Sequence, residues 1–261
     1  MARFRLSSAH RRRRVRRSRG IRRVFPPPPI SVMVAHRQPP IRGAAREGIM
    51  NTAKIAGGAW WALLAVLSVG VGGYALFHTV TGFVHLPLRN PMLDPWGLRT
   101  HIATSGFALI LGVFQFLKPL RMKAPSLHRW MGRGYVLVCV VGGLAGGIIA
   151  LSSTAGPVAG WGFFLLAVLW VPFTLLALTS AMRRDFVAHE KWMIRSFALT
   201  LGAVTLRLQL LGVELLDLSF RESYPLIAWL AWVPNAIIAE LWIASRPRFR
   251  RRKIAPSATP A

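Results

Sequence analysis

Charged residues are scarce in this 261-residue chain, at 16% of the total, and acidic residues are the scarcest of them. Soluble domains carry about 25% charged residues, and 53% of this chain is hydrophobic, so an ordinary water-soluble globule is excluded. The 8 acidic residues stand against 34 Lys and Arg, a formal net charge of +26. A nucleic-acid-binding protein would carry that excess among soluble elements, whereas here the basic residues separate long apolar runs. Composition therefore predicts a polytopic membrane protein without a nucleic-acid partner.

Cysteine is nearly absent, because Cys139 is the sole one. A single cysteine excludes an intrachain disulfide and any cysteine-based zinc or iron–sulfur site within one chain. The zinc-protease pattern HExxH is also missing, since His189-Glu190 is followed by Lys191, Trp192 and Met193. Neither a cysteine-based metal site nor an HExxH zinc site is therefore expected.

The first 49 residues differ from the rest, with 14 Arg, one Glu and a proline run from Pro26 to Pro29. A segment of this kind buries too little apolar surface to offset its ordering entropy, so residues 1–49 are predicted to form a disordered arm. Its arginines suit anionic lipid headgroups, a nucleic acid or an organellar transit peptide. Met33 and Met50 are available later translation starts, and a start at Met50 would leave this arm out of the protein.

The spacing of charges predicts six membrane spans, each long enough for the roughly 20 apolar residues that cross a bilayer. The uncharged stretch from Gly134 to Met182 is too long for one crossing and divides at the turn-forming cluster Ser152–Pro157. The spans are predicted at 57–79, 100–118, 134–152, 160–182, 192–212 and 225–244. The result is an all-α bundle at 50–245, followed by a basic tail at 246–261.

Basic residues alternate between the two sides of this topology. They cluster between spans two and three, between spans four and five, and in the tail: Lys118, Arg121, Lys123, Arg129, Arg133, Arg183, Arg184, Lys191 and Arg246 to Lys253. By the positive-inside rule, both termini are predicted to be cytoplasmic. The expected location is the inner membrane of a bacterium, as a multi-pass protein.

Polar residues inside the spans fall on single helix faces. In span two, His101, Ser105, Ala108, Gly112 and Gln115 share one face. In span five, His189 and Arg207 lie five helical turns apart on one face, and Arg207 is deep enough to need a partner: Glu214, backbone carbonyls or an anionic ligand. Arg195 and Glu240 lie at matching depth in neighbouring spans and are predicted to form a structural ion pair.

Histidines near the ends of spans indicate a possible cofactor. Two histidines at equal depth on different helices can ligate a b-type haem. His128 with His189 would hold one haem, and His101 with His78 or His85 a second one on the other side. Haem propionates would pair with Arg129, Arg133, Arg195 and Arg207, and Gln115 belongs to the same polar set. The hypothesis is a haem-b-binding electron-transfer protein, linked to a quinone or another redox partner.

Other functions use the same residues. The polar groups can simply hold the bundle together in a structural membrane protein. His78, His85 and His101, with Asp94 nearby, can hold a catalytic zinc as in a membrane hydrolase. A transporter would use broken helices near the middle of the membrane, and Pro172 and Pro234-Asn235 are the candidate breaks. The residues alone leave these alternatives open.

Four sequence segments resemble a family of predicted bacterial membrane proteins, domain of unknown function 2306. They are His101-Ile-x-x-x-Gly-x-Ala-Leu-x-x-Gly-x-x-Gln115-Phe, Leu127-His128-Arg129-x-x-Gly-Arg133-x-Tyr135, His189-x-x-Trp-Met-Ile-Arg195-Ser to Leu206-Arg207, and Trp232-x-x-Asn235-x-x-x-Ala-Glu240. The resemblance covers about residues 60–245 and implies a helical bundle whose motif residues include these histidines and arginines. The bundle also resembles membrane-embedded b-type cytochromes, an analogy of fold only.

Overall fold

The structure, a computed structural model, describes residues 42–81 and 95–249. These two ranges are helical apart from the turns that join the helices. The predicted all-α fold is confirmed, with no strand in those two ranges. The helices are α1 (Arg42–Thr81), α2 (Pro95–Gln115), α3 (Lys118–Lys123), α4 (Pro125–Leu151), α5 (Pro157–Met182), α6 (Phe186–Thr200), α7 (Gly202–Leu215), α8 (Phe220–Leu230) and α9 (Val233–Ser245). A short 3-10 turn, Pro247–Phe249, follows α9.

The chain divides into two compact units, Met1–Ile49 and Met50–Ala261. The disordered arm predicted for residues 1–49 stays a prediction. Its residues 1–41 lie outside the described ranges, and α1 begins at Arg42. The predicted tail lies outside them from residue 250 onward.

Six helical segments are long and apolar enough to cross a membrane, as predicted. They are Gly57–Thr81, Gly97–Gln115, Pro125–Leu151, Pro157–Met182, Phe186–Leu215 and Phe220–Ser245. The third begins at Pro125 rather than at 134, so His128, Arg129 and Arg133 lie in the first turns of a helix and not in a loop. Charge counting misplaced this boundary because the arginines belong to the helix end.

Helix boundaries follow local sequence signals. Pro125 and Pro157 each stand in the first turn of a helix, where a missing N–H costs no hydrogen bond. The turn before α5 contains Gly156 at φ 90°, a conformation that favours glycine. Asp185 caps α6 by accepting a hydrogen bond from the backbone N–H of Ala188 at 2.9 Å.

The spans pack in a closed arrangement in which α2 contacts α4 and α6, α4 contacts α5, and α5 contacts α6 and α8. Successive spans run in opposite directions, which gives the bundle two ends. The His101 end contains the start of α2, the turn between α4 and α5, and the turn between α7 and α8. The His189 end contains α3, the start of α4 and the turn between α5 and α6.

Glycines bring α1 against α2. A Cβ on Gly72 would lie 2.7 Å from the carbonyl oxygen of Gly106, and one on Gly106 would lie 2.9 Å from the carbonyl oxygen of Gly72. Such contact between two backbones requires glycine on both helices, as is common between membrane helices. Between residues 57 and 81, much of α1 is exposed apolar surface of the kind that faces lipid.

Spans five and six are each interrupted partway along their length. Span five is interrupted at Leu201, between α6 and α7, and span six at Ala231 and Trp232, between α8 and α9. The two interruptions touch, since a Cβ on Gly202 would lie 3.3 Å from the Cβ of Trp232. The predicted break at Pro234 is therefore close to the observed one, whereas α5 continues through Pro172.

Candidate functional site

His101 is fixed by a backbone carbonyl of a neighbouring helix. Its Nδ1 lies 2.8 Å from the carbonyl oxygen of Gly142 in α4. A carbonyl oxygen can only accept, so Nδ1 carries the proton, and in the neutral ring Nε2 retains a lone pair. The ring fits against α4 because position 146 is glycine, where a Cβ would lie 2.6 Å from Nδ1.

A cavity of about 490 Å³ lies beside His101. Ligand pockets in proteins measure about 300–1,000 Å³, so this one is large enough for a small-molecule ligand. The wall is mainly apolar and comes from helices α1, α2, α4, α5, α6, α7 and α8. Its polar side chains are His101, Ser105, Ser153, Thr154, Thr200, Arg207, Arg221 and Tyr224, together with Trp170.

Arg207 is the outstanding polar group of this wall. It lies in α7, half-buried, and has no hydrogen-bond or ion-pair partner in the described part of the chain. Tyr224 and Tyr74 are near enough to interact with it electrostatically. The predicted partner Glu214 is exposed and forms no ion pair with Arg207, and none of the described residues lining the cavity is Asp or Glu. An intramembrane guanidinium without a counter-charge is energetically unfavourable.

A buried hydroxyl network lies where α4, α5 and α6 meet. The Tyr135 hydroxyl is 2.8 Å from Ser196 Oγ and 2.9 Å from Thr200 Oγ1. Thr174 Oγ1 lies 2.6 Å from Ser196 Oγ, and Trp170 donates its indole N–H to Thr200 at 2.9 Å. Because Thr200 and Trp170 also line the cavity, the network forms part of its wall.

The histidines of the other end are also brought together. His189 Nδ1 lies 2.8 Å from the carbonyl oxygen of Ala177, so Nδ1 is again the donor and Nε2 keeps its lone pair. His128 lies close enough to His189 for an electrostatic interaction. Neither His128 nor Gln115 lines the cavity, and Gln115 is buried against Gly132 in α4.

The remaining predicted site residues lie away from the cavity. Arg195 and Glu240 form a two-bond ion pair, Nε to Oε1 at 2.5 Å and Nη2 to Oε2 at 2.9 Å. Arg129 bonds to Ser126 Oγ at 3.1 Å. The Arg133 guanidinium lies 4.9 Å from the ring centre of Trp130. These arginines therefore have other contacts.

The structure describes only part of the outer histidine set. His78 packs edge-on against Tyr74, with ring centres 4.3 Å apart, and does not line the cavity. His85 and Asp94 lie outside the described residues. Among the residues that are described, no group of three His, Cys, Asp or Glu is placed to hold a metal ion.

Sequence reasoning missed the cavity, the hydroxyl network and Tyr224. The predicted polar face of span two does point into the bundle: His101 and Ser105 line the cavity, while Ala108, Gly112 and Gln115 are buried. The network had a weak signal, because Ser196 and Thr200 lie one turn apart. Tyr224 had none, because its place depends on the turn between α7 and α8.

Comparison with known protein families settles what the chain is related to. The model of a predicted membrane protein family, DUF2306, matches residues 98–243, more than half of the chain. The chain belongs to this family. The matched range contains His101, Arg207, the hydroxyl network and both interrupted spans. No curated protein matches, and no solved structure does.

Proposed function

We propose that this DUF2306 protein binds, within the membrane, a mainly apolar molecule that carries an anionic group. The observation that carries the proposal is Arg207, a guanidinium in the wall of a cavity of about 490 Å³ that pairs with no acidic side chain among the described residues. Buried charges are tolerated where they are paired. An anionic ligand would supply the missing counter-charge, and the apolar wall would hold the rest of the molecule.

Haem b is the first candidate ligand, because it combines a large apolar ring with two carboxylates. His101 Nε2 would bind the iron, since Nδ1 is held by the Gly142 carbonyl, the arrangement usual for metal-binding histidines. Arg207 and Arg221, which both line the cavity, would pair with the carboxylates. Bound haem would supply one-electron transfer, and the protein would hold and orient it.

A second haem between His128 and His189 would extend the same function to the other end of the bundle. Their proximity and the 2.8 Å hydrogen bond that fixes His189 support this assignment. We infer that the His189 end faces the cytoplasm of a bacterial inner membrane, because the basic loops lie there. A quinone comes after haem as a ligand, because a neutral quinone leaves the charge of Arg207 unpaired.

Transport is a second candidate function, and one specific observation favours it. Spans five and six are interrupted where they touch each other, and Gly202 and Ala231 at these interruptions line the cavity. Secondary transporters place discontinuous helices of this kind around a substrate site within the membrane. A transported substrate would still have to satisfy Arg207 and would therefore be an anion.

Identification of the bound molecule tests the proposal. The detergent-purified full chain, produced with an ample haem supply, is denatured, and the released small molecules are identified by mass spectrometry. Dithionite-reduced minus oxidised spectra of the same sample reveal any b-type haem. We expect a near-stoichiometric anionic, apolar molecule in the wild type and at least about tenfold less in Arg207→Gln, equivalent to about 1.4 kcal/mol.

Two controls separate binding from misfolding. Arg184→Gln, an exposed cation at the other end of the bundle, should keep wild-type occupancy. His101→Ala should remove the signal of a haem at His101 and leave that of a haem between His128 and His189. A protein with no bound molecule, or an Arg207→Gln variant with unchanged occupancy, would contradict the proposal and favour a structural role.

A further inference from the structure

We infer that a basic surface around α3 binds the headgroup of an anionic phospholipid, in the leaflet at the His189 end of the bundle. This surface, the α3 patch, combines exposed cations with exposed apolar side chains: Lys118, Arg121, Lys123, Arg129, Arg133, Met122, Leu127 and Trp130. None of these residues lines the cavity beside His101. The inference therefore concerns a second site and does not rest on the proposed function.

Helix α3 lies on the outside of the bundle, because none of its residues is buried. Lys118, Arg121 and Lys123 are exposed, and so is the apolar side chain of Met122, at 72%. In bulk water an exposed methionine gains nothing, whereas at a membrane surface basic side chains meet headgroups and apolar ones meet acyl chains. Since α3 also joins two membrane spans, its composition is that of a segment at the level of the headgroups.

Exposed apolar side chains continue from α3 onto the first turns of α4. Leu127 is 51% exposed and Trp130 is 68% exposed. The Arg133 guanidinium lies 4.9 Å from the ring centre of Trp130, so a cation and an aromatic ring are presented together. Tryptophan is enriched at membrane interfaces, where its amphipathic ring lies at the level of the headgroups. The chains of a bound lipid would contact Leu127 and Trp130, and its headgroup would contact the cations.

The cations of the α3 patch have no acidic partner among residues 42–81 and 95–249. The contact of Arg129 is with a neutral hydroxyl, Ser126 Oγ, at 3.1 Å. Arg121 and Arg129 come from different helices, yet both lie near enough to His128 to interact with it electrostatically. Positive charges held together repel each other. A phosphate group bound by Arg121 and Arg129 would supply the counter-charge, and guanidinium groups bind phosphate with paired, charge-assisted hydrogen bonds.

The charge of the α3 patch selects the class of lipid. The patch contains five cations and no carboxylate, so a zwitterionic headgroup would leave its net charge uncompensated. Clusters of basic residues next to a membrane span are attracted to anionic lipids. A nucleic acid or a free anion would match the cations but would leave Met122, Leu127 and Trp130 exposed to water. An anionic phospholipid satisfies both halves of the surface.

Native mass spectrometry of the delipidated full chain tests this inference. Phosphatidylglycerol and phosphatidylcholine with identical acyl chains are titrated separately in a neutral detergent, and the dissociation constants of the first bound lipid are compared. We expect phosphatidylglycerol to bind to the wild type at least about tenfold more tightly, because only its headgroup carries a net negative charge.

Charge variants locate the site. Arg121→Gln combined with Arg129→Gln should weaken phosphatidylglycerol binding about 30-fold, the loss expected of two basic residues at a lipid surface, and should change phosphatidylcholine binding little. The matched control, Arg183→Gln with Arg184→Gln, removes two exposed arginines of the α5–α6 turn at the same end and should leave both affinities nearly unchanged. Arg121→Lys with Arg129→Lys keeps the charges and should keep most of the binding. If the double glutamine variant does not fold, Arg121→Gln alone should weaken binding about fivefold.

Unfolding midpoints in detergent distinguish a lipid from a free anion. Phosphatidylglycerol should raise the midpoint of the wild type and not that of the double glutamine variant. Inorganic phosphate at matched ionic strength should leave both midpoints unchanged, because it has no chains to contact Leu127 and Trp130.

Three results would overturn the inference: equal affinity for the two lipids, an equal loss of affinity in the Arg183 and Arg184 control, or an equal rise in midpoint with inorganic phosphate. The variants of the α3 patch keep His101 and Arg207, so occupancy of the cavity should be unchanged in them. Loss of the cavity ligand in Arg207→Gln bears on the proposed function alone, and the two failures are distinguishable.

Discussion

The side chain of Gln209 replaces a backbone hydrogen-bond donor for the carbonyl oxygen of Leu230, at 3.1 Å. In a continuous helix that oxygen would accept from the N–H four residues later, but residue 234 is proline and has none. Within a bilayer no water is present to take its place. The interruption of span six is thus stabilised by a side chain from span five.

Replacement of Gln209 should reveal this compensation. We expect Gln209→Leu to destabilise the wild type by about 1 kcal/mol, the usual contribution of one hydrogen bond. In a Pro234→Ala background the same change should be neutral or stabilising, since the Leu230 carbonyl then has a backbone donor and Gln209 Oε1 is buried without a partner. Unfolding midpoints in detergent for the four proteins of this double-mutant cycle measure the coupling. Equal effects in both backgrounds would show that Gln209 does not compensate for Pro234.

Removal of the Arg207 charge should stabilise the ligand-free protein while it abolishes binding. Insertion measurements assign about 2.5–3.5 kcal/mol to an arginine at the centre of a membrane helix, and no ion pair within residues 42–81 and 95–249 offsets this for Arg207. We therefore expect Arg207→Met to raise the unfolding midpoint of delipidated, ligand-stripped protein. Arg221→Met, at an exposed position, should change stability by less than about 0.5 kcal/mol. A lower midpoint for Arg207→Met would mean that Arg207 has a stabilising partner.

The topology of this protein could be predicted from sequence because bilayer physics acts on single segments. Each span can be recognised by itself, from an apolar stretch of sufficient length with charges at its ends, and this criterion predicts six spans. The same reasoning placed the start of α4 too late, because Arg129 and Arg133 lie on the helix end. The pairing of spans five and six at Gly202 and Trp232 depends on three-dimensional packing that charge spacing does not record.

The candidate site was predictable in its parts but not in its arrangement. Because polar groups inside a membrane are energetically costly, the sequence indicates His101 and Arg207 as candidate functional residues. Both line the cavity. His128 and His189 were paired by depth and lie near each other. The hydrogen bond from His101 to the carbonyl oxygen of Gly142 could not be predicted, because it depends on the packing of α2 on α4. The volume between helices is a property of several helices together, and no single segment encodes it.

The packing of the His101 ring against α4 should be sensitive to one added methyl group. A Cβ at Gly146 would lie 2.6 Å from His101 Nδ1 and 2.7 Å from Cε1. Gly146→Ala should therefore displace the ring, weaken its bond to Gly142 and lower ligand occupancy at least about tenfold, with an overpacking cost of about 1–3 kcal/mol. Gly134→Ala on the same helix is the matched control, because its Cβ would lie 3.5 Å from Leu111, an ordinary contact. Unchanged occupancy in Gly146→Ala would show that the position of His101 is unimportant for binding.

The hydroxyl network around Tyr135 contains more hydrogen-bond contacts than it has hydroxyl protons to donate. Four hydroxyl groups, on Tyr135, Thr174, Ser196 and Thr200, take part in five contacts that each need a hydroxyl proton: Tyr135 with Ser196, Tyr135 with Thr200, Thr174 with Ser196, Thr174 with the Trp170 carbonyl, and Thr200 with the Ser196 carbonyl. One contact always lacks its proton, so no single proton arrangement is complete.

This shortage predicts a graded response to mutation. Tyr135→Phe removes two contacts but only one proton, which leaves three contacts for three remaining protons, so we expect a loss of about 1 kcal/mol rather than that of two bonds. Ser196→Ala removes two of the five hydroxyl contacts as well but leaves Thr174 and Thr200 bonded to carbonyls, and should cost a similar amount. The double variant should cost clearly less than the sum of the two, because they share the bond between Tyr135 and Ser196. Tyr74→Phe, at an exposed position on α1, is the control for the loss of a hydroxyl group. If the losses in unfolding midpoint of Tyr135→Phe and Ser196→Ala add up in the double variant, the shared network is contradicted.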